Sequence, residues 1–195
     1  MMNYQTTAFP LYSPLYILLG VFCLALAFFG LSAPFLYGLL MGLVFPVLVS
    51  MRLHTLSQHG QATLLSEISN WKVYMQGIPL EEQRASLKNP CFHTPERLQQ
   101  FYWRGFIARL ILQLMTLGLL IQQTREIEWT SYAGIAAVAA FILLLLPIYH
   151  TLTTMRDMRA GAWALQHVEA ADGYQAFFQQ KMRVRTALDV LLSLR

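Results

Sequence analysis

Four long apolar runs constrain this chain more than any other feature of its sequence. They cover residues 14–30, 35–51, 101–122 and 130–149, and all ten acidic residues lie outside them. A helix that crosses the hydrocarbon core of a bilayer needs about 20 mostly apolar residues. Apolar residues make up 56% of the chain and charged residues only 12%, a composition that a water-soluble protein of this size could not bury. We therefore predict an all-α membrane protein with four transmembrane helices in two antiparallel hairpins, surrounded by a lipid bilayer.

Breaks in these runs predict where the helices begin. Residues 31–34 separate the first two runs with a short, proline-containing turn. The Thr-Pro-Glu sequence at 94–96 is typical of a helix start, because threonine caps the first turn, proline fits it and glutamate complements the helix dipole. The third helix is therefore predicted from Pro95 onward. Arg104 and Arg109 near its beginning are expected to extend to the lipid headgroups.

The distribution of lysine and arginine predicts the orientation. Residues 51–104 contain six of them and the segment after residue 150 contains another six, whereas the turns at 31–34 and 123–130 contain only Arg125. Basic residues are retained on the cytoplasmic side of a membrane. The long central loop and both termini are therefore predicted to be cytoplasmic, in a bacterial inner membrane. Because lipid headgroups account for the basic clusters, binding of nucleic acid is excluded.

This pattern divides the chain into four parts. Residues 1–51 form the first transmembrane hairpin, 52–94 a cytoplasmic helical loop, 95–150 the second hairpin and 151–195 a cytoplasmic helical arm. Both cytoplasmic parts are predicted to be amphipathic helices, because their apolar residues recur at helical spacing. Such a face could pack on its own chain, lie on the membrane surface or bind a cytoplasmic partner protein. The candidate partner-binding residues are Trp71, Met75, Tyr174, Phe177, Val184, Leu188 and Leu191.

Small and polar residues within the runs are candidates for helix packing. Gly38 and Gly42 have the GxxxG spacing that allows helices to approach closely in lipid, and two alanine pairs in the fourth run have the same spacing. The alanines are Ala133 with Ala137, and Ala136 with Ala140. Gln113 and Thr116 are the deepest polar side chains of the third run. They are expected to form hydrogen bonds between helices, and in an oligomer they could instead line a pore.

Motifs for chemistry are absent from the sequence. It contains no GxSxG, HExxH, P-loop or glycine-rich dinucleotide-binding pattern. No cofactor is predicted, although His54 and His150 follow two spans that descend to the same side and could in principle ligate haem. We interpret the chain as a non-enzymatic accessory or scaffold subunit of a larger membrane assembly, of a secretion, conjugation and exclusion, or defence and sensing type. It would form a homo-oligomer or bind a partner in the membrane. The alternatives are an oligomeric pore or channel and a haem-bearing electron carrier.

Overall fold

The computed structural model describes residues 14–63, 66–75, 78–87, 90–126, 131–168, 173–180 and 183–192. These residues are mostly helical. Three helices are long and apolar enough to cross a membrane, namely Ala33–Gln58, Pro95–Glu126 and Ala133–Arg159. This property is compatible with an integral membrane protein. The first apolar run forms a shorter helix of 15 residues, Pro14–Phe28.

The helices follow the apolar runs in order. They are α1 (Pro14–Phe28), α2 (Ala33–Leu39), a π-helical turn (Leu40–Val44), α3 (Phe45–Gln58), α4 (Pro95–Glu126), α5 (Ser131–Arg159) and α6 (Ala187–Leu192). The turn between α1 and α2 is tied to the far end of α4 by Gln123. Its Nε2 atom donates a hydrogen bond to Ser32 Oγ at 2.7 Å, and its Oε1 atom accepts one from the Ala33 amide at 3.1 Å.

The prediction that the arms are helical is wrong for most of their length, because the polar parts of the chain mainly form β-strands. The strands are β1 (Ala62–Thr63), β2 (Ser66–Met75), β3 (Ile78–Leu87), β4 (Cys91–Phe92), β5 (Trp163–Val168), β6 (Gly173–Gln180) and β7 (Arg183–Thr186). The segment expected to form an amphipathic helix around Trp71 instead pairs with β3 in continuous antiparallel register, from Ser66 opposite Leu87 to Met75 opposite Ile78. Backbone pairing between two consecutive strands, which form a separate two-stranded sheet, thus replaces the hydrogen bonds of a helix.

One antiparallel sheet combines strands from both polar parts of the chain. Its strand order is β1-β4-β6-β5, and β7 also pairs with β6. The two parts meet where Phe92 of β4 lies opposite Tyr174 of β6. Gly60 and Gly161 have positive φ angles of 64° and 71° in the turns that lead from α3 to β1 and from α5 to β5. Only glycine adopts this conformation without strain, which explains how each helix turns sharply into the sheet.

Two apolar cores hold these layers together. The larger core lies where the sheet and α6 meet α3 and α4, and includes Leu53, Phe92, Tyr102, Phe178 and Leu191. The smaller core lies at the other end of the helices. Its members are Leu26, Leu31, Ala33, Leu120, Ala137, Ala140 and Leu144. The outer faces of the helices remain apolar and exposed, as at Phe28, which is 87% exposed. Such faces are stable in contact with lipid.

Candidate functional site

A buried arginine fastens the end of α6 to α4. Arg109 is only 3% exposed, and its Nη1 atom donates hydrogen bonds to the carbonyl oxygens of Val190 at 3.0 Å and Leu191 at 2.8 Å. The last carbonyls of a helix have no partner within the helix, and a cation near them is favourable. The expected extension of Arg109 to the headgroups is therefore wrong, because its guanidinium group binds protein carbonyls.

The fit between α6 and α4 also depends on a glycine. A β-carbon placed on Gly105 would lie 3.1 Å from both terminal methyl carbons of Leu191, so the absence of a side chain admits this leucine. At the other end of α6, the Asp189 amide donates to Thr186 Oγ1 at 3.1 Å, which is an N-terminal cap. The six-residue helix is thus fixed at both ends, and it joins the sheet to α4.

The predicted deep polar residues, Gln113 and Thr116, continue the face of α4 that carries Arg109. Each is 1% exposed. Gln113 Nε2 donates to the Tyr37 hydroxyl at 3.3 Å, which joins α4 to α2, and Thr116 Oγ1 donates to the Gln113 carbonyl at 2.9 Å. Both side chains face the interior of the folded chain. Within the described residues, Arg109 Nε and Gln113 Oε1 have no hydrogen-bond partner.

The small residues predicted to pack helices divide into two groups. Ala137 and Ala140 are buried in the smaller core, and Ala133 and Ala136 are half-buried on the same helix. Gly38 and Gly42 are exposed, and a β-carbon on either would meet no other atom within 4 Å. The role of the glycine pair in packing against another chain stays a prediction.

The predicted partner-binding residues are spread over several elements. Trp71 and Met75 lie on β2, and Val184 lies on β7, but their side chains fall outside the described residues. Tyr174 and Phe177 are half-buried on β6. The last two, Leu188 and Leu191, are buried in the larger core of the chain itself. The single amphipathic face expected of residues 174–191 is therefore divided between two strands and α6.

The two histidines considered as haem ligands lie on different helices and make local contacts. His54 on α3 is exposed, and its Nε2 atom is 3.1 Å from Gln58 Nε2, one turn along the helix. His150 on α5 is exposed, and its Nδ1 atom is 3.5 Å from Thr154 Oγ1. Among the described residues, no group of three or more histidine, cysteine, aspartate or glutamate side chains could hold a metal ion.

Among the described strands of the sheet, β5 has an open edge. β5 pairs with β6 through six residues, from Trp163 opposite Phe178 to Val168 opposite Gly173, and no described strand pairs with its other side. Residues 164–167 are exposed, and Leu165 is 43% exposed. Edge strands normally carry charge, proline or a bulge that prevents pairing with other chains, and the Trp-Ala-Leu-Gln-His-Val sequence of β5 has no lysine, arginine, acid or proline.

A cavity of about 500 Å³ lies between α3 and α4 on the side of the sheet. Three arginines contribute to its wall, Arg52 from α3 with Arg97 and Arg104 from α4. Leu191 of α6 also lines it, so the docked helix forms part of the cavity. Sequence reasoning located these arginines but not the cavity, because only the folded chain brings the end of α3 beside the start of α4.

No protein-family model, curated protein or solved structure matches this chain.

Proposed function

We propose that the protein is a non-enzymatic component of a larger membrane assembly, and that it binds an extended segment of a partner protein at the open edge of β5. The observation that carries this proposal is the exposed, uncharged edge of β5. An unpaired edge offers a row of backbone N–H and C=O groups, and a partner strand that pairs with them extends the sheet.

The proposed placement in the membrane follows the charges at the helix ends. The ends next to the sheet carry Arg52, Arg97, Arg104, Arg156 and Arg159, whereas the opposite end of α4 carries Arg125. The side rich in arginine stays in the cytoplasm. With α1 as a fourth span, the sheet and both termini are cytoplasmic in a bacterial inner membrane. A cytoplasmic or membrane partner can then reach β5.

Rigid attachment of β5 supports its use as a docking strand. β5 follows α5 through a turn in which the Ala162 amide donates to the Asp157 carbonyl at 3.0 Å. Trp163 packs against Phe178 of β6, with ring centroids 6.2 Å apart. A preorganised edge loses little conformational entropy when a partner strand binds. The pore alternative lacks comparable support, since Gln113 and Thr116 face the interior of a single chain.

The proposed partner can be tested by photocrosslinking in living cells. A benzophenone amino acid in place of Gln166, which is exposed on β5, is expected to give a discrete crosslinked product that contains a second protein. The same amino acid in place of Val138, which is 60% exposed on the apolar face of α5, is the control and should give no discrete product. Mass spectrometry of the product identifies the partner.

A second variant tests whether strand addition is the mode of binding. Leu165→Lys places a charge on the edge strand, where lysine disfavours pairing with another chain. This change should reduce the product at position 166 without lowering the amount of protein in the membrane. Absence of a product at position 166, or a product that Leu165→Lys leaves unchanged, would rule out the proposal. A product that contains two copies of this chain would show that β5 mediates self-association and does not bind a different partner protein.

A further inference from the structure

The cavity between α3 and α4 is polar at one end and apolar at the other. Arg52 lies seven residues after Phe45 on α3, and Arg104 lies seven residues before Ile111 on α4, and all four line the cavity. Because a helix rises 1.5 Å per residue, each arginine is about 10 Å along its helix from its apolar counterpart. α3 approaches the sheet and α4 leaves it, so both arginines lie at the end of the cavity nearer the sheet.

No acidic side chain among the described residues neutralises the positive charge of this cavity. Arg52, Arg97 and Arg104 are exposed, and none forms an ion pair or hydrogen bond with another residue in the described part of the chain. No acidic residue occurs among the described side chains that line the cavity. Three guanidinium groups around one space attract an anion, and their planar donors suit the oxygens of a phosphate group.

The apolar end of the cavity opens onto the outer surface of the helices. Leu48 and Ile111 line the cavity, yet they are 54% and 52% exposed, so they also belong to the apolar surface around the helices. Ala108 lies between the two ends and leaves space because its side chain is small. A molecule in the surrounding lipid can therefore enter the cavity from the side.

We infer that this cavity is a binding site for an anionic phospholipid. The phosphate group lies among Arg52, Arg97 and Arg104, and an acyl chain lies against Leu48 and Ile111. Basic pockets between helices at the headgroup level are suited to such lipids. The side opening distinguishes a lipid from a soluble phosphate compound, because a soluble ligand gains nothing from an apolar wall that faces hydrocarbon. This inference concerns a different surface from the edge of β5, and it does not depend on a partner protein.

The test uses purified full-length protein in detergent, with native mass spectrometry to count bound lipid. Phosphatidylglycerol is the anionic probe, and phosphatidylcholine is the zwitterionic probe. The wild type is expected to retain phosphatidylglycerol in preference to phosphatidylcholine. Basic residues at the headgroup level attract anionic lipids, so Arg52→Gln/Arg104→Gln should weaken phosphatidylglycerol binding by about tenfold or more, which corresponds to a loss of ~1.4 kcal/mol or more.

A matched control separates a site from general surface attraction. Arg156→Gln/Arg159→Gln removes the same charge from the sheet-side end of α5, outside the cavity, and should leave phosphatidylglycerol binding unchanged. Ala108→Trp keeps all arginines but fills the space between the two ends, and should also weaken binding. This variant remains informative if loss of the cavity arginines impairs folding.

Several results would contradict the inference that this cavity binds an anionic phospholipid. If the two double arginine variants lost phosphatidylglycerol binding equally, the lipid would be held by general surface attraction and not by the cavity. If the wild type retained phosphatidylcholine equally well, the cavity would not select an anionic headgroup. Unchanged binding in Ala108→Trp would locate the lipid elsewhere. Displacement of phosphatidylglycerol by glycerol phosphate at similar concentration would assign the arginines to a soluble ligand.

Discussion

Replacing Arg109 with alanine is expected to detach α6 from α4 and destabilise the sheet layer. The change removes a buried guanidinium group and leaves the carbonyls of Val190 and Leu191 without its hydrogen bonds. Loss of hydrogen bonds from a charged donor to buried acceptors costs on the order of 3 kcal/mol. The melting temperature in mild detergent should fall by several degrees. Trypsin should also cleave faster after Arg185, which directly precedes the cap of α6.

The control for this prediction is Arg125→Ala on the same helix. Arg125 is exposed, lies outside the cavity and makes no hydrogen bond within the described residues, so its removal should change the free energy of unfolding by about 0.5 kcal/mol or less. Arg109→Lys keeps the charge but lacks the planar, branched donor, and should give an intermediate melting temperature. If Arg109→Ala melted like the wild type and resisted trypsin equally, the carbonyl contacts would have no structural role.

Gly173→Ala is expected to disrupt the junction between the two polar parts of the chain. A β-carbon at this position would lie 2.7 Å from Cys91 Sγ and 2.9 Å from the Phe92 carbonyl oxygen. The oxygen belongs to a paired strand and cannot move without shifting β4. Overpacking of this kind costs about 1–3 kcal/mol or more. The melting temperature should fall, whereas Gly134→Ala, which has open space around it, should have little effect.

The reactivity of the Cys91 thiol reports locally on the effect of Gly173→Ala. Burial raises the pKa of its thiol, and because the thiolate is the reactive form, wild-type Cys91 should react slowly with maleimide near neutral pH. In a Cys23→Ala background, Gly173→Ala should accelerate this reaction by exposing the thiol. Adding Cys91→Ala to Gly173→Ala should restore stability only in part, since the Phe92 carbonyl stays in place. Full restoration would show that the thiol alone makes the glycine necessary.

The helices could be predicted from the sequence because a helix that crosses the hydrocarbon core of a bilayer needs about 20 consecutive, mostly apolar residues. Long apolar runs correspond to α1, to the continuous helix Ala33–Gln58, and to α4 and α5. The start of α4 at Pro95 agrees with its threonine, proline and glutamate signals. Each of these features depends on residues that are close in sequence, so a single pass along the chain reveals them.

The strands could not be predicted in the same way. In the five-stranded sheet, the pairings of β1 with β4 and of β4 with β6 join residues that are far apart in the sequence. The spacing of Ile68, Trp71 and Met75 fits a helix, but β2 and β3 satisfy their backbone groups by pairing with each other. One local signal was available. Asp172-Gly173 is a dipeptide typical of hairpin turns, and Gly173 does begin β6 opposite Val168 of β5.

The contact of Arg109 with α6 and the cavity between α3 and α4 both depend on residues that are far apart in the sequence. Arg109 binds carbonyls 81 and 82 residues away, so its burial follows from the docking of α6 rather than from its position in an apolar run. The arginines of the cavity come from two helices separated by the first polar part of the chain. Their charge suggested a headgroup position, but the space between them exists only after α3 and α4 pack.

The meeting of Phe92 and Tyr174 in one sheet has a mechanical consequence. It links the part of the chain that ends with α4 to the part that begins with α5, at the end of these helices opposite the peptide connection through residues 127–130. If a protease cut that connection, the two fragments would still share the sheet and both apolar cores. Neither fragment could then tilt by itself, because any rotation of one would pull on strands belonging to the other.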